Sequence, residues 1–342
     1  MRFATLTLAL LCLSTALPGA RHWYTERSTA DSPAGDYAAG EDPAVREAAI
    51  EALGKWNGSV VVVDADSGRV LTMVNQKLAL ADGFIPCSTV KLSVGLAALS
   101  EGVIQPEEKV YFPGPWFMTM VEGLAISNNV LFDHLGEKLG FERFRRYAKL
   151  FGFGEKAGWK IPGEQLGAFP EQEHPDGVGR MTSFGDGISA TPLQMAAFTA
   201  ALANGGKLYY LQHPNSTTEV DALRPKLKRQ LPIAKFIPEI ERGMAEAVRR
   251  GTGKHARVAG QQVRGKTGTC SQYDKGFGVR MGWFASYDRD VNGRKLAVVV
   301  MLRGNGVISG PLAAEVAGKL YHKLGRVEVS QSAPKVTGAC DD

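Results

Sequence analysis

Two β-branched runs flank Asp-Ser-Gly in GSVVVVDADSGRVLTMVN (58–75), a pattern that predicts a hairpin. Four consecutive valines in its first arm predict a strand buried on both faces. STVKLSVGLAALSEG (88–102) then reads as a helix closed by Gly102. From about 120 to 205 the period is helical, in NNVLFDHLGEKLG, ERFRRYAKLFGFG and TPLQMAAFTAALANGG. The last starts with Thr191 and Pro192 in cap and first-turn positions and stops at Asn204-Gly205, so both ends have a physical reason. Strand patterns return at QQVRGKTGT, VRMGWFASYD and KLAVVVMLRG, and GPLAAEVAGKLYHKLG predicts a closing helix. Strands at both ends with helices between them predict an α/β (α+β) domain whose sheet is completed late, around an inserted all-helical region.

Outside this body the pattern changes. Met1-Arg2, an apolar stretch from Phe3 to Ala20 and then Arg21-His22 have the form of a secretory signal, or of an uncleaved membrane anchor. Residues 21–52 lack an apolar period and read as a linker, with a short helix in DPAVREAAIEAL; the domain is expected over 53–326, and 327–342 as a disordered tail. The apolar start places the body outside the cytoplasm, periplasmic or on the outer face of the cytoplasmic membrane.

Composition adds little. The 342 residues are 44% hydrophobic and 22% charged, ordinary for a globular protein with a sizeable core. The net charge of +5 is scattered except for RPKLKRQ (224–230), which reads as a solvated loop and gives no case for nucleic-acid binding. Cysteine usage matters more, because export makes disulfides stable. Cys12 lies within the apolar leader, and Cys87, Cys270 and Cys340 permit one bridge with one left over.

Three short stretches carry candidate chemistry, and each alone has a plain structural reading. Ser88 and Lys91, three apart at a helix start, share one face, so the amine can reach the hydroxyl; a serine there is also the commonest cap. Ser332 and Lys335 repeat the spacing in the tail, where no chemistry is expected. Lys266, in RGKTGTC, is a second cation that could depress the Lys91 pKa, with Gly265 and Gly268 leaving room for a ligand at the strand. It could equally be an edge lysine that deters aggregation. Ser127, Asn128 and Asn129, in AISNNV, enter a helix and could simply cap it.

Together, Ser-x-x-Lys, Ser-x-Asn and Lys-Thr-Gly in this order resemble the transpeptidase domain of penicillin-binding proteins and, secondarily, the serine β-lactamases. The resemblance covers about residues 56–325 and includes the opening hairpin, SFGDGISATPLQMAAFTAALANGG, RRGTGKHA and MGWFASYD. It implies a mainly antiparallel sheet flanked by helices, with the active site between the sheet and the helical subdomain. It further implies Ser88 as nucleophile, Lys91 as its base, Ser127 as proton relay, and Asn129 positioning Lys91 and the substrate amide. Lys266 would tune its neighbours and, with Thr267, Gly268 and Thr269, hold the substrate carboxylate, and the Ser88 and Thr269 N–H groups would form the oxyanion hole. Trp116, in FPGPWFMTM, is either a wall of the cleft or a core residue.

The implied substrates are peptidoglycan stem peptides ending in D-Ala-D-Ala, with β-lactams as acylating mimics and no cofactor or metal. The resemblance to carbapenem-hydrolysing class A β-lactamases, some of which carry cysteines at the same two offsets, implies a Cys87–Cys270 disulfide with Cys340 free; two buried thiols are the alternative. A class A β-lactamase would also need Glu-x-x-x-Asn after the second motif, and no asparagine lies between Asn129 and Asn204. Glu164 and Glu171 are the only loosely placed acids. A class D enzyme would have an apolar residue where Asn129 stands. No stretch for a glycosyltransferase or pedestal domain precedes the body, so a bare catalytic domain is expected. A β-lactamase and a non-catalytic β-lactam or muropeptide sensor remain the rival functions.

Overall fold

The computed structural model describes Trp23–Tyr24 and residues 26–274, 277–289 and 293–331. The expected signal or anchor, Cys12 and Cys340 lie outside the described residues. Among the described residues no helix is long and apolar enough to cross a membrane.

The hairpin forms as its pattern predicts, from β1 (Gly58–Asp64) and β2 (Arg69–Val74). β3 (Arg264–Asp274), β4 (Phe277–Arg289) and β5 (Lys295–Gly304) complete an antiparallel sheet in the order β3-β4-β5-β1-β2, and Trp23–Tyr24 adds a short parallel pairing to β4. β5 pairs with β1 and β4 with β3, so the late strands join the early hairpin directly, and β3 stands at an edge. Side chains alternate across a strand, so the valine run feeds two cores. Val60 and Val62 pack with α1 (Pro43–Leu53) and the last helix, while Val61 and Val63 face the helical region.

The inserted region contains α2 (Lys91–Ser100), α3 (Met120–Ala125), α4 (Asn129–Leu139), α5 (Phe141–Leu150), α6 (Val178–Phe184) and α7 (Pro192–Ala203). α8 (Ile237–Arg249) follows, and α9 (Gly310–Gln331) closes the fold. α7 is buried on all sides from Pro192 to Leu202, and Thr191 and Gln194 form the capping box at its start.

Three expectations change. The presumed linker is packed against the domain: the Asp36 carboxylate accepts from the N–H groups of Asn75 and Gln76, and the buried Glu41 carboxylate accepts from Met73 N–H, Thr72 Oγ1 and Arg46 and lies 2.9 Å from His213 Nε2. Its low hydropathy reflects a few polar anchors, Ser28, Ser32 and Glu41, buried in a segment that is otherwise largely open to solvent. RPKLKRQ contributes the strand Lys226–Gln230, paired with Lys207–Tyr210, and Lys228 and Arg229 converge on Glu155. α9 runs to Gln331, beyond the boundary expected at 326.

Although burial opposes ionisation of Glu41, its hydrogen bonds from His213, Thr72, Arg46 and Met73 win and hold its pKa below the usual carboxylate value. Removing the carboxylate would leave Arg46 with Asp36 alone and the buried Thr72 hydroxyl and Met73 N–H without their acceptor. Glu41→Ala is therefore expected to lower unfolding stability by about 3 kcal/mol, read from the urea midpoint at neutral pH; an unchanged midpoint would rule out a structural role for this cluster.

Candidate active site

A tight turn of 3-10 helix, Cys87–Val90, leads into α2 without any side-chain cap bond at either start. Ser88 is therefore not the cap its position allowed. Its hydroxyl lies 2.9 Å from Lys91 Nζ, one turn on. Lys91 is fully buried, and its amine also meets Asn129 Oδ1 at 2.6 Å, Ser127 O at 3.1 Å and Ser127 Oγ at 3.4 Å. The asparagine pair divides its work: Asn128 Oδ1 accepts from Leu131 N–H and caps α4, while Asn129 turns to the lysine. Ser127 sits at φ +57°, a left-handed conformation costly for a residue with a Cβ, and that conformation presents both its carbonyl and its hydroxyl to Lys91.

From the sheet side, Lys266 on β3 donates to Ser127 Oγ at 2.7 Å and to Thr267 O at 2.8 Å, and it too is fully buried. The oxygens around both amines belong to hydroxyl, amide and carbonyl groups, none of them charged. Burial without a counter-ion lowers the pKa of Lys91 to about 7. Burial, and then the charge of Lys91, push Lys266 well below the ordinary lysine value. A neutral Lys91 amine at this distance can take the Ser88 proton, with Ser127 bridging the two lysines.

The glycines of the Lys-Thr-Gly strand serve packing rather than an open approach. A Cβ at Gly268 would lie 3.0 Å from Pro86 O and 3.3 Å from Ser88 N, and one at Gly265 would strike the Phe284 ring at 2.1 Å. β3 is thereby pressed against the Ser88 turn. A Cys87–Cys270 disulfide, with Cα atoms 5.6 Å apart, ties the two together. Thr269 Oγ1 accepts from Gly310 N–H at the start of α9, and Thr267 Oγ1 lies 2.6 Å from Thr252 Oγ1. Thr252 had no role in the sequence reading, although it stands in RRGTGKHA; its partner is distant in the chain and no local pattern signals the pairing.

Trp116 is 40% exposed and stacked on Phe112 at 4.3 Å, so it is not a core residue, and none of its ring contacts joins it to the lysine cluster. The two loop acids are occupied elsewhere. Glu164 accepts from the N–H groups of Ala157 and Gly158, and Glu171 pairs with Arg145 and Lys149.

Residues 58–322 match the family model for the penicillin binding protein transpeptidase domain. The chain belongs to that family. Stage V sporulation protein D of Bacillus subtilis (strain 168) is 30% identical over 281 residues, which is 73% of this chain and 43% of that protein. Peptidoglycan D,D-transpeptidase FtsI of Escherichia coli (strain K12) is 26% identical over 310 residues, covering 78% of this chain and 52% of FtsI. The chain thus spans about half the length of these curated relatives. Among solved structures, the apo TP domain of Burkholderia pseudomallei penicillin-binding protein 3 aligns with a TM-score of 0.69 at 21% identity, covering 86% of this chain and 95% of that one. Pseudomonas aeruginosa PBP2 in complex with WCK 5153 aligns at 0.68 and 24%, covering 83% and 74%. At these identities the structures establish the shared fold: an antiparallel sheet flanked by helices, as the family resemblance implied.

A depressed lysine pKa means ammonium below about pH 7 and free amine above it. In protein selectively ¹⁵N-labelled at lysine, the Lys91 Nζ resonance is expected to titrate with a midpoint near 7 and to be missing from Lys91→Met. A midpoint near the ordinary lysine value would contradict the uncompensated burial described above.

Proposed function

We propose that this chain is an exported serine D,D-transpeptidase or carboxypeptidase acting on the D-Ala-D-Ala end of peptidoglycan stem peptides through an acyl-enzyme on Ser88. The observation that carries the reading is the Lys91 amine, buried without a counter-ion 2.9 Å from the Ser88 hydroxyl. The apolar N-terminal stretch and the disulfide support export, to the periplasm or the outer face of the cytoplasmic membrane, where that stretch could also serve as an anchor.

In this mechanism Ser88 Oγ attacks the carbonyl of the penultimate D-alanine as its proton passes to neutral Lys91. Negative charge on the carbonyl oxygen is met by the N–H groups of Ser88 and Thr269, a pairing favoured by the close approach of Gly268 to the Ser88 turn. The peptide C–N bond then breaks, and the proton reaches the departing amine of D-alanine through Ser127, which contacts both lysines. Asn129 fixes Lys91, and the terminal carboxylate binds between Lys266, Thr267 and Thr269 by charge-assisted hydrogen bonds, with Gly268 at the closest point of the strand and Trp116 as an exposed flank of the cleft. The ester carbon finally passes to an amine or to water, which restores the serine. A β-lactam follows the same first step, but its opened ring stays attached as the acyl group.

Deacylation by water calls for a base. The engagement of Glu164 with backbone N–H groups and of Glu171 with Arg145 and Lys149 favours a long-lived penicilloyl adduct over β-lactamase turnover. Intact-mass spectrometry of the non-reduced protein after a benzylpenicillin pulse is expected to show one adduct stable over hours and absent from Ser88→Ala. The acylation rate should rise about tenfold per pH unit below pH 7 and level off above it, as Lys91 loses its proton. A transient adduct with accumulating hydrolysed penicillin would make the protein a β-lactamase, and no adduct at all would remove the acyl-enzyme reading.

A further inference from the structure

Thr252 belongs to none of the three motifs, yet it touches the surroundings of two. It sits half-buried in the turn after α8. Its N–H donates to Ala125 O at 3.2 Å, at the end of α3 and two residues before Ser127. The neighbouring Gly251 allows that approach, because a Cβ there would fall 2.0 Å from the same oxygen. On its other side the Thr252 hydroxyl lies 2.6 Å from Thr267 Oγ1 on β3. Thr252 thus spans the Ser127 turn and the Lys-Thr-Gly strand, whose chain segments are far apart in sequence.

Without an anion Thr267 donates to Thr252 along this line, and because each hydroxyl can donate or accept, the one proton between their oxygens can also be supplied from the Thr252 side. If Thr267 donates along that line, its proton is spent on Thr252 and it offers the cleft only a lone pair. If Thr252 donates, the Thr267 proton is free to point into the cleft as a donor. The neighbouring Lys266 donates to Ser127 and to Thr267 O, so an anion arriving at this strand needs the Thr267 proton as well as the lysine charge. An anion would select the second polarity, because a carboxylate has no use for another acceptor.

We infer that Thr252 is a positioning residue for acyl-donor recognition: when the carboxylate of the substrate or β-lactam arrives, the hydrogen bond reverses, the Thr252 hydroxyl donates to Thr267, and the Thr267 proton turns toward the anion. This role rests on the acyl-enzyme reading of the same site and assigns part of its selectivity for carboxylate-bearing donors. It acts on binding of the carboxylate and not on the Ser88–Lys91 proton transfer.

The test compares benzylpenicillin with its methyl ester, which lacks the anion, on wild type, Thr252→Val and Thr252→Ser, all checked for folding by circular dichroism. For Thr252→Val with benzylpenicillin, the second-order acylation rate constant is expected to fall about tenfold, through weaker binding with an unchanged limiting rate. The methyl ester should react equally with wild type and valine variant, and Thr252→Ser should behave as wild type with both compounds. Equal losses on both compounds would mean that Thr252 only holds the turn, and no loss on either would mean that its hydroxyl does nothing for the anion; each result overturns the inference while leaving the acyl-enzyme reading intact. A wild type acylated by neither compound would instead remove that reading, and this role with it.

Discussion

Two lysine amines, each fully buried and neither paired with a carboxylate among the described residues, share one serine hydroxyl. Burying an ammonium without a partner is among the most costly arrangements a protein interior can contain. Here the cost is reduced in two ways: the amines are surrounded by well-placed neutral acceptors, and Lys91 loses its proton near pH 7. The Phe132 ring, 5.6 Å from Lys91 Nζ, adds a weakly favourable face without compensating charge. Replacing any of these neutral acceptors by a carboxylate would stabilise the ammonium and remove the free amine that the proposed mechanism requires, so in that mechanism function and stability pull in opposite directions at this point.

The rest of the architecture can be understood as holding that arrangement closed. Lys91 comes from the helix after the first hairpin, Ser127 from the α3–α4 turn and Lys266 from a late strand. They meet because β4 and β5 bridge β3 to the early hairpin in one continuous sheet. The tolerances are small. Gly268 has little space for a side chain against Pro86 and Ser88, Gly251 none against Ala125, and the Cys87–Cys270 bridge fixes the Ser88 turn to the strand that Gly268 allows so near. Polar interactions on the far side of the sheet have a comparable role: Glu41 fastens the N-terminal segment to β2, next to the valine strand on which both cores depend.

The readable parts of the sequence were those in which the determining contacts are local. The hairpin at 58–75, α7 with its capping box and the one-turn spacing of Ser88 and Lys91 all follow from interactions within a few residues. α8 is of the same local kind, with its helical period legible in IPEIERGMAEAVR. RPKLKRQ looked like a loop because long basic side chains hide strand character: their stems pack while their charged ends find Glu155. Thr252 and Glu41 could not be read at all, since each acts through partners brought close only by the completed sheet and its covering helices. The glycines beside Lys266 mark a close approach, as their position predicts, but not the approach of a ligand. Their space is filled by Phe284 and by the Ser88 turn, so what they permit is approach of protein to protein.

That closeness also bears on which ligand charge the cleft accepts. Among the described residues the oxygens around the two lysines belong to hydroxyls, a side-chain amide and backbone carbonyls, so no internal anion there competes for a proton on Lys266. A negative group arriving along β3 would supply the counter-ion the interior lacks and would raise the proton affinity of Lys266. It would leave Lys91, whose acceptors are unchanged by the arrival, as the more easily neutralised amine. The same Coulomb repulsion that lowers Lys266 beside Lys91 then works in reverse: charge held on Lys266 disfavours charge on Lys91 and favours its free-base form. In the proposed mechanism an uncompensated pair of lysines would therefore couple recognition of an anion to generation of a base across a single shared hydroxyl.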